Sequence, residues 1–299
     1  MDTSSGQATP QAGAAGDTGP PPAGDTGPGP GSLLWRYAGD RRLAFVGLTA
    51  GILQLMHPAI GAGVAQHSAF FEDPWERILR SIPQIIGVVY GDDPEALGRM
   101  VRDRHRAIRG RDEKGRRYDA TDPSTFWWAH ATFQNAIEQM IDRYDRACLT
   151  PAGREDLYEE GVGWYRRYGM DMAPVPPDRS SFEREWERHC REVLEMTPAA
   201  ERVVDMALHG RARDLAFLPA WTRRLQPALA TPLLRLSALG GLPPTVRARF
   251  AIPWSGRDER AYGALRHTVA SLWARLPPER RYGMTAAAAW RRHGGAPVR

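Results

Sequence analysis

Residues 121–144 read TDPSTFWWAHATFQNAIEQMIDRY, and their periodicity sets the fold class. Asp122 followed by Pro123 is a helix start. The aspartate accepts from main-chain N–H groups of the first turn, and proline takes a position whose donor has no helical partner. Behind it Phe126, His130, Phe133, Ile137, Met140 and Tyr144 recur at intervals of three and four, one face of an α-helix. The spacing predicts a long amphipathic helix that buries His130 with its apolar neighbours. The Asp-Pro signal recurs at Asp73-Pro74 and Asp93-Pro94, and Thr-Pro starts stand at Thr150-Pro151 and Thr197-Pro198. Alternating strand patterns joined by hairpin signals are missing, as is a repeat of constant period. The chain therefore reads as all-α, a single large helical domain.

With 299 residues, 42% of them hydrophobic, the chain can bury one large core. Residues 1–31 are dominated by Gly, Pro, Ala, Ser and Thr, too little apolar surface to offset the entropy of ordering, so a disordered tail is expected there and the helical domain over 32–299. The basic start, apolar middle and cleavage site of a secretory leader are lacking, and the expected location is the cytoplasm. The apolar run 43–66, LAFVGLTAGILQLMHPAIGAGVAQ, has the length of a bilayer span, but Gln54, His57, Pro58 and Gln66 interrupt it. It reads as a buried helix pair broken at Pro58, without a transmembrane span and with peripheral membrane contact left open. The formal charge of +5 is carried by arginines that alternate with acids, as in SSFEREWERHCREVLEM (180–196), so nucleic acid is not an expected partner. Cys148 and Cys190 form no CxxC pair and read as reduced structural thiols, and His189 beside Cys190 reads as solvated surface.

The stretch 99–110, RMVRDRHRAIRG, places a histidine among arginines. In a helix begun at Pro94, the residues Leu97, Val101, His105 and Ile108 share the apolar face, with Arg102 and Arg109 bordering it. Buried guanidiniums need anions, and Asp103 points elsewhere on such a helix. A haem answers both demands, its iron taking the neutral imidazole of His105 and its propionates the arginines. On the residues alone the plainer reading, a core histidine bonded to a carboxylate among salt-bridged arginines, is favoured over the haem.

The blocks LQLMHPAIGAGVAQHSAFFEDPWERILRS (53–81), VVYGD (88–92), RDRHRAIRG (102–110) and YDATDPSTFWWAHAT (118–132) carry a resemblance. In order and spacing, over about residues 33 to 290, the chain resembles the superfamily of latex-clearing rubber oxygenases and MpaB-type oxygenases. That resemblance implies an all-α fold with a buried pocket for a non-covalent haem b, and His105 as proximal iron ligand within Arg102-x-x-His105-x-x-x-Arg109. The family's distal arginine and Lys-Thr pair correspond to Arg77, Arg80 and Ser81. Arginine stays protonated and is a very poor iron ligand, so Arg80 in place of lysine implies an open or water-occupied sixth position. His57 and His67 match family positions at the helix break, and His130 and Thr132, anchored by Trp128, are implied to line the pocket. The implied activity is dioxygen-dependent oxidation or C=C cleavage of a lipophilic, isoprenoid-like small molecule. Haem-dependent dehydrogenation or peroxygenation, and non-catalytic binding of haem or a lipophilic ligand, are alternatives.

Overall fold

The computed structural model describes residues 27–68, 74–146, 148–209 and 226–295. The tail expected at 1–31 lies outside the described residues up to 26. Its last residues are part of the fold, since the Pro28 carbonyl accepts from Arg167 Nη2 at 2.9 Å and Ser32 N donates to Gly29 O at 2.9 Å.

The helices are α1 (Leu33–Tyr37), α2 (Ala44–Leu55), α3 (Pro58–His67), α4 (Pro74–Tyr90), α5 (Pro94–Arg104), α6 (Pro123–Tyr144) and α7 (Pro151–Arg166). They continue as α8 (Arg179–Arg188), α9 (Pro198–His209), α10 (Gln226–Leu239), α11 (Pro244–Arg249), α12 (Gly256–Trp273), α13 (Pro278–Arg281) and α14 (Met284–Arg292). The fold is all-α, as the sequence predicts. Among the described residues the one sheet is an antiparallel ribbon of β1 (Arg109–Arg111) and β2 (Arg117–Asp119), with Gly110 opposite Tyr118.

The capping chemistry works as predicted. Asp93 accepts from Ala96 N at 2.8 Å, Asp122 from Thr125 N at 2.9 Å and Thr150 from Gly153 N at 3.0 Å. The predicted cap of α4, Asp73, lies outside the described residues. Helix α6 is buried nearly all round, which makes it the central element. Its adjacent tryptophans serve different clusters. Trp127 belongs to the cluster that also holds residues of α1, α4, α7 and α14, and Trp128 to the one that holds residues of α2, α9 and α10. Burial of one such ring stabilises by about 3–5 kcal/mol against its replacement by alanine.

The apolar run breaks where Pro58 predicts, and the two helical arms meet at 98°. Among the described residues no single helix is long and apolar enough to cross a membrane. The break is sealed by polar contacts, because Thr197 Oγ1 donates to the last-turn carbonyl of Leu55 at 2.6 Å. Gln54 Nε2 donates to Ala129 O at 3.1 Å and Thr132 Oγ1 at 2.7 Å, which fastens α2 to α6.

Candidate functional site

Helix α5 ends at Arg104, not beyond Ile108 as the periodicity predicts. His105 is its C-cap, and its Nδ1 lies 2.8 Å from the Val101 carbonyl. That carbonyl is the acceptor the next helical N–H would use. With the ring on it, the His105 N–H turns to Arg102 O at 2.9 Å and the helix closes. The bond also fixes the tautomer: Nδ1–H donates to the carbonyl, and Nε2 is the nitrogen that carries a lone pair. The ring is half-buried, edge-on to Phe126 with centroids 5.6 Å apart.

The arginines differ from expectation. Arg102 Nε donates to Asp103 Oδ1 at 2.8 Å and its Nη1 to Gly169 O at 3.1 Å, so Asp103 is its partner after all. Arg106 shares the same carboxylate at 2.9 Å, and these bonds, the one to Arg102 first, hold Asp103 below the usual carboxylate range. Arg109 lies on β1, 60% exposed, with Nη2 3.6 Å from Asp119 Oδ2. It faces solvent because the chain has left the helix before reaching it.

Helices α4 and α5 run antiparallel across the turn at Gly91–Asp93, and the Arg104 guanidinium meets the Gln84 amide oxygen. Arg77, Arg80 and Ser81 stand earlier on α4, ahead of Gln84. The side chains of Arg77 and Arg80 lie outside the described residues. Ser81 is half-buried.

The other histidines do not gather at His105. His130 is 3% exposed, with Nε2 2.9 Å from Gly161 O and the ring among Trp127, Trp164, Tyr165 and Tyr168. Burial pushes its pKa down to about 3. It backs His105 indirectly, through Tyr168 and Tyr165, whose rings lie 5.2 and 6.2 Å from Phe126. Thr132 faces Gln54 instead. His57 caps the start of α3 at the helix break. Its pKa is lowered to about 4, by burial first and then by His189, 6.5 Å away in near-parallel stacking. His67 is exposed at the end of α3, with Nε2 3.2 Å from Tyr118 Oη.

His189 corrects the sequence reading. It is 8% exposed and stacks flat on Trp128 at 4.5 Å, on a π-helical turn at His189–Val193. The signal was the stripe Phe182, Trp186, His189 and Cys190, hidden under the charges between them. The Cys190 thiol is buried and pushed up to about 12, an inert structural group, while Cys148 is exposed.

A family described as ER-bound oxygenase mpaB/B'/Rubber oxygenase, catalytic domain, matches residues 35–271, more than three quarters of the chain. The protein belongs to this oxygenase family. No curated protein and no solved structure matches it. The match takes in α2 to α11 and all but the end of α12. Helices α13 and α14 lie beyond it.

The donor set at the end of α5 fits a haem. Among the described residues no three His, Cys, Asp or Glu side chains lie close enough to hold a bare ion. A single imidazole suits a metal that brings its own macrocycle, and a main-chain carbonyl on the far ring nitrogen is the usual support of a metal-ligating histidine.

Proposed function

We propose that this family member is a haem-b-dependent oxygenase acting on a lipophilic small molecule, with His105 as the axial ligand. The observation that carries the reading is the His105 ring, half-buried edge-on to Phe126 and held by the Val101 carbonyl at 2.8 Å. Bound haem supplies dioxygen binding and the oxidation itself.

The chain's own residues set the conditions. Val101 fixes the ring plane and keeps the proton on Nδ1, so Nε2 presents its lone pair. Arg102 and Arg109 are the cations for the propionates. Arg109 changes partner at small cost, since its contact with Asp119 is long and exposed. By the family resemblance Arg80, always protonated, would donate hydrogen bonds to the bound molecule, with Arg77 and Ser81 assisting it. Phe126 walls the ring and excludes water, with His130 neutral behind it in the aromatic cluster. His57 stands at the α2–α3 break, Thr132 ties α2 to α6 through Gln54, and His67 joins the end of α3 to Tyr118 of the ribbon. Ile82 and Met100, 40% and 36% exposed on α4 and α5, offer apolar surface to an alkene-bearing, isoprenoid-like substrate, whose oxidation or C=C cleavage is the proposed reaction.

The deciding experiment is an absorption spectrum of protein produced with haem precursor, beside H105A. The expected result is a Soret band that shifts on dithionite reduction and is lost or strongly altered in the variant. A folded wild type that stays colourless and refuses added haemin sinks the reading.

A further inference from the structure

Beyond Arg109 at its start, the β1–β2 ribbon plays no part in the chemistry proposed above, yet it grows directly out of the turn that carries His105. Ile108 N donates to His105 O at 2.9 Å, and Ala120 N donates to Ile108 O at 2.9 Å, so the ribbon closes three residues after the histidine. Its middle is bonded to the end of α3. Tyr118 Oη donates to Gln66 Oε1 at 2.7 Å, and Gln66 Nε2 donates to Arg111 O at 2.8 Å. A Cβ at Gly110 would stand 2.8 Å from that phenol oxygen, so the small residue there makes room for the contact.

The tip is held by a residue distant in sequence. Glu195 accepts from Lys114 Nζ at 2.8 Å and from Arg116 Nη1 and Nη2 at 2.8 and 3.0 Å, while Asp112 holds Arg116 Nε at 2.6 Å. The Glu195 main-chain N–H donates to Met56 O at 2.8 Å, at the α2–α3 break and one residue before His57. A carboxylate that takes a forked guanidinium and an ammonium together has a defined geometry, unlike a single surface pair. Arg116 first, and then Lys114, hold the Glu195 carboxyl down to about 2, so it is ionised at any working pH.

We propose that Glu195 is a positioning residue of the His105 site: it latches the ribbon tip to the α2–α3 break and so fixes the turn that presents the imidazole. The inference rests on the reading of His105 as haem ligand.

The test compares holoprotein of wild type, E195A, E195Q and E195D by amide exchange of the ribbon, haem loss to a scavenging apoprotein, and midpoint potential. In E195A, ribbon exchange and haem loss are expected to rise about tenfold, the worth of one charge-assisted bond, with a shifted potential and unchanged exchange in α6. E195Q keeps the shape and loses the charge, and should behave like E195A. E195D should recover most of the wild-type values. Wild type in high salt should move towards E195A. Faster ribbon exchange with unaltered potential and haem loss would reduce Glu195 to a surface clamp and overturn the proposal, as would unaltered ribbon exchange in E195A. Wild type that takes up no haem overturns the haem reading itself, and the positioning role with it.

Discussion

The imidazoles of buried His130 and half-buried His57 are held neutral, and this has a measurable cost in acid. The unfolded chain takes these protons near the ordinary value of 6.5, whereas the folded chain takes them only near 3 and 4. Between those limits the unfolded state carries more protons, so stability falls as pH is lowered from about 6.5. Each histidine contributes up to about 1.4 kcal/mol per pH unit. Urea unfolding between pH 7.5 and 5 should show the midpoint falling with pH below the upper limit, and H130N should flatten that slope. An equal slope in the variant would mean that His130 takes its proton in the folded state as readily as in the unfolded. His130 is tolerated neutral because Nε2–H donates to Gly161 O, which leaves only an acceptor, Nδ1, without a hydrogen-bond partner among the described residues.

At the scale of elements, α5 is placed by its closest neighbour. A Cβ at Gly98 would lie 2.1 Å from the Arg167 carbonyl oxygen at the end of α7, a main-chain atom that cannot swing aside. Gly98→Ala should therefore shift α5 outward and destabilise by about 1–3 kcal/mol despite alanine's better helix propensity. Chemical denaturation measures the loss, and haem titration should weaken with it. A variant as stable as wild type would mean that the helix ends have room to separate. Helix starts were legible from sequence because capping is local: Asp93, Asp122 and Thr150 bond within their own first turn. The end of α5 was not legible. It depends on a ring competing for the Val101 carbonyl and on a ribbon turned by Asp112 and by Gly115 at φ +77°, features that override helical periodicity and leave no mark in it. The candidate ligand was legible as a histidine on an apolar face. The partner of Arg102 was not, since the Gly169 carbonyl comes from a distant part of the chain and Asp103 reaches back by side-chain conformation.

Across the whole molecule, the segment beyond the family match closes the fold. Helix α14 brings Trp290, 5% exposed, edge-on to Trp35 at 4.9 Å, and the Ala286 Cβ stands where a Cβ on Gly39 would be, 2.2 Å away. Main-chain and side-chain bonds join the two ends: Gly283 N to Gly39 O at 2.9 Å, and Arg41 Nε to Tyr282 O at 2.8 Å. Arg292 then donates to Tyr90 O at 2.9 Å and pairs with Asp92 at 3.1 Å, which pins the turn between α4 and α5. The chain terminus thereby bears on the helix pair that carries His105 and the Arg77–Ser81 turn, although it is far from both in sequence. W290A should cost about 3–5 kcal/mol, the range for removing a buried aromatic ring. If α14 acts through the α4–α5 turn, removing residues 284–299 should weaken haem uptake further than W290A does. In both variants the Soret position of the bound fraction should stay at the wild-type value, because neither touches His105. Thermal melting and haem titration of the two variants measure this. Wild-type haem uptake by the truncated chain would show that the terminal clasp serves stability alone and that the α4–α5 pair holds its register without it.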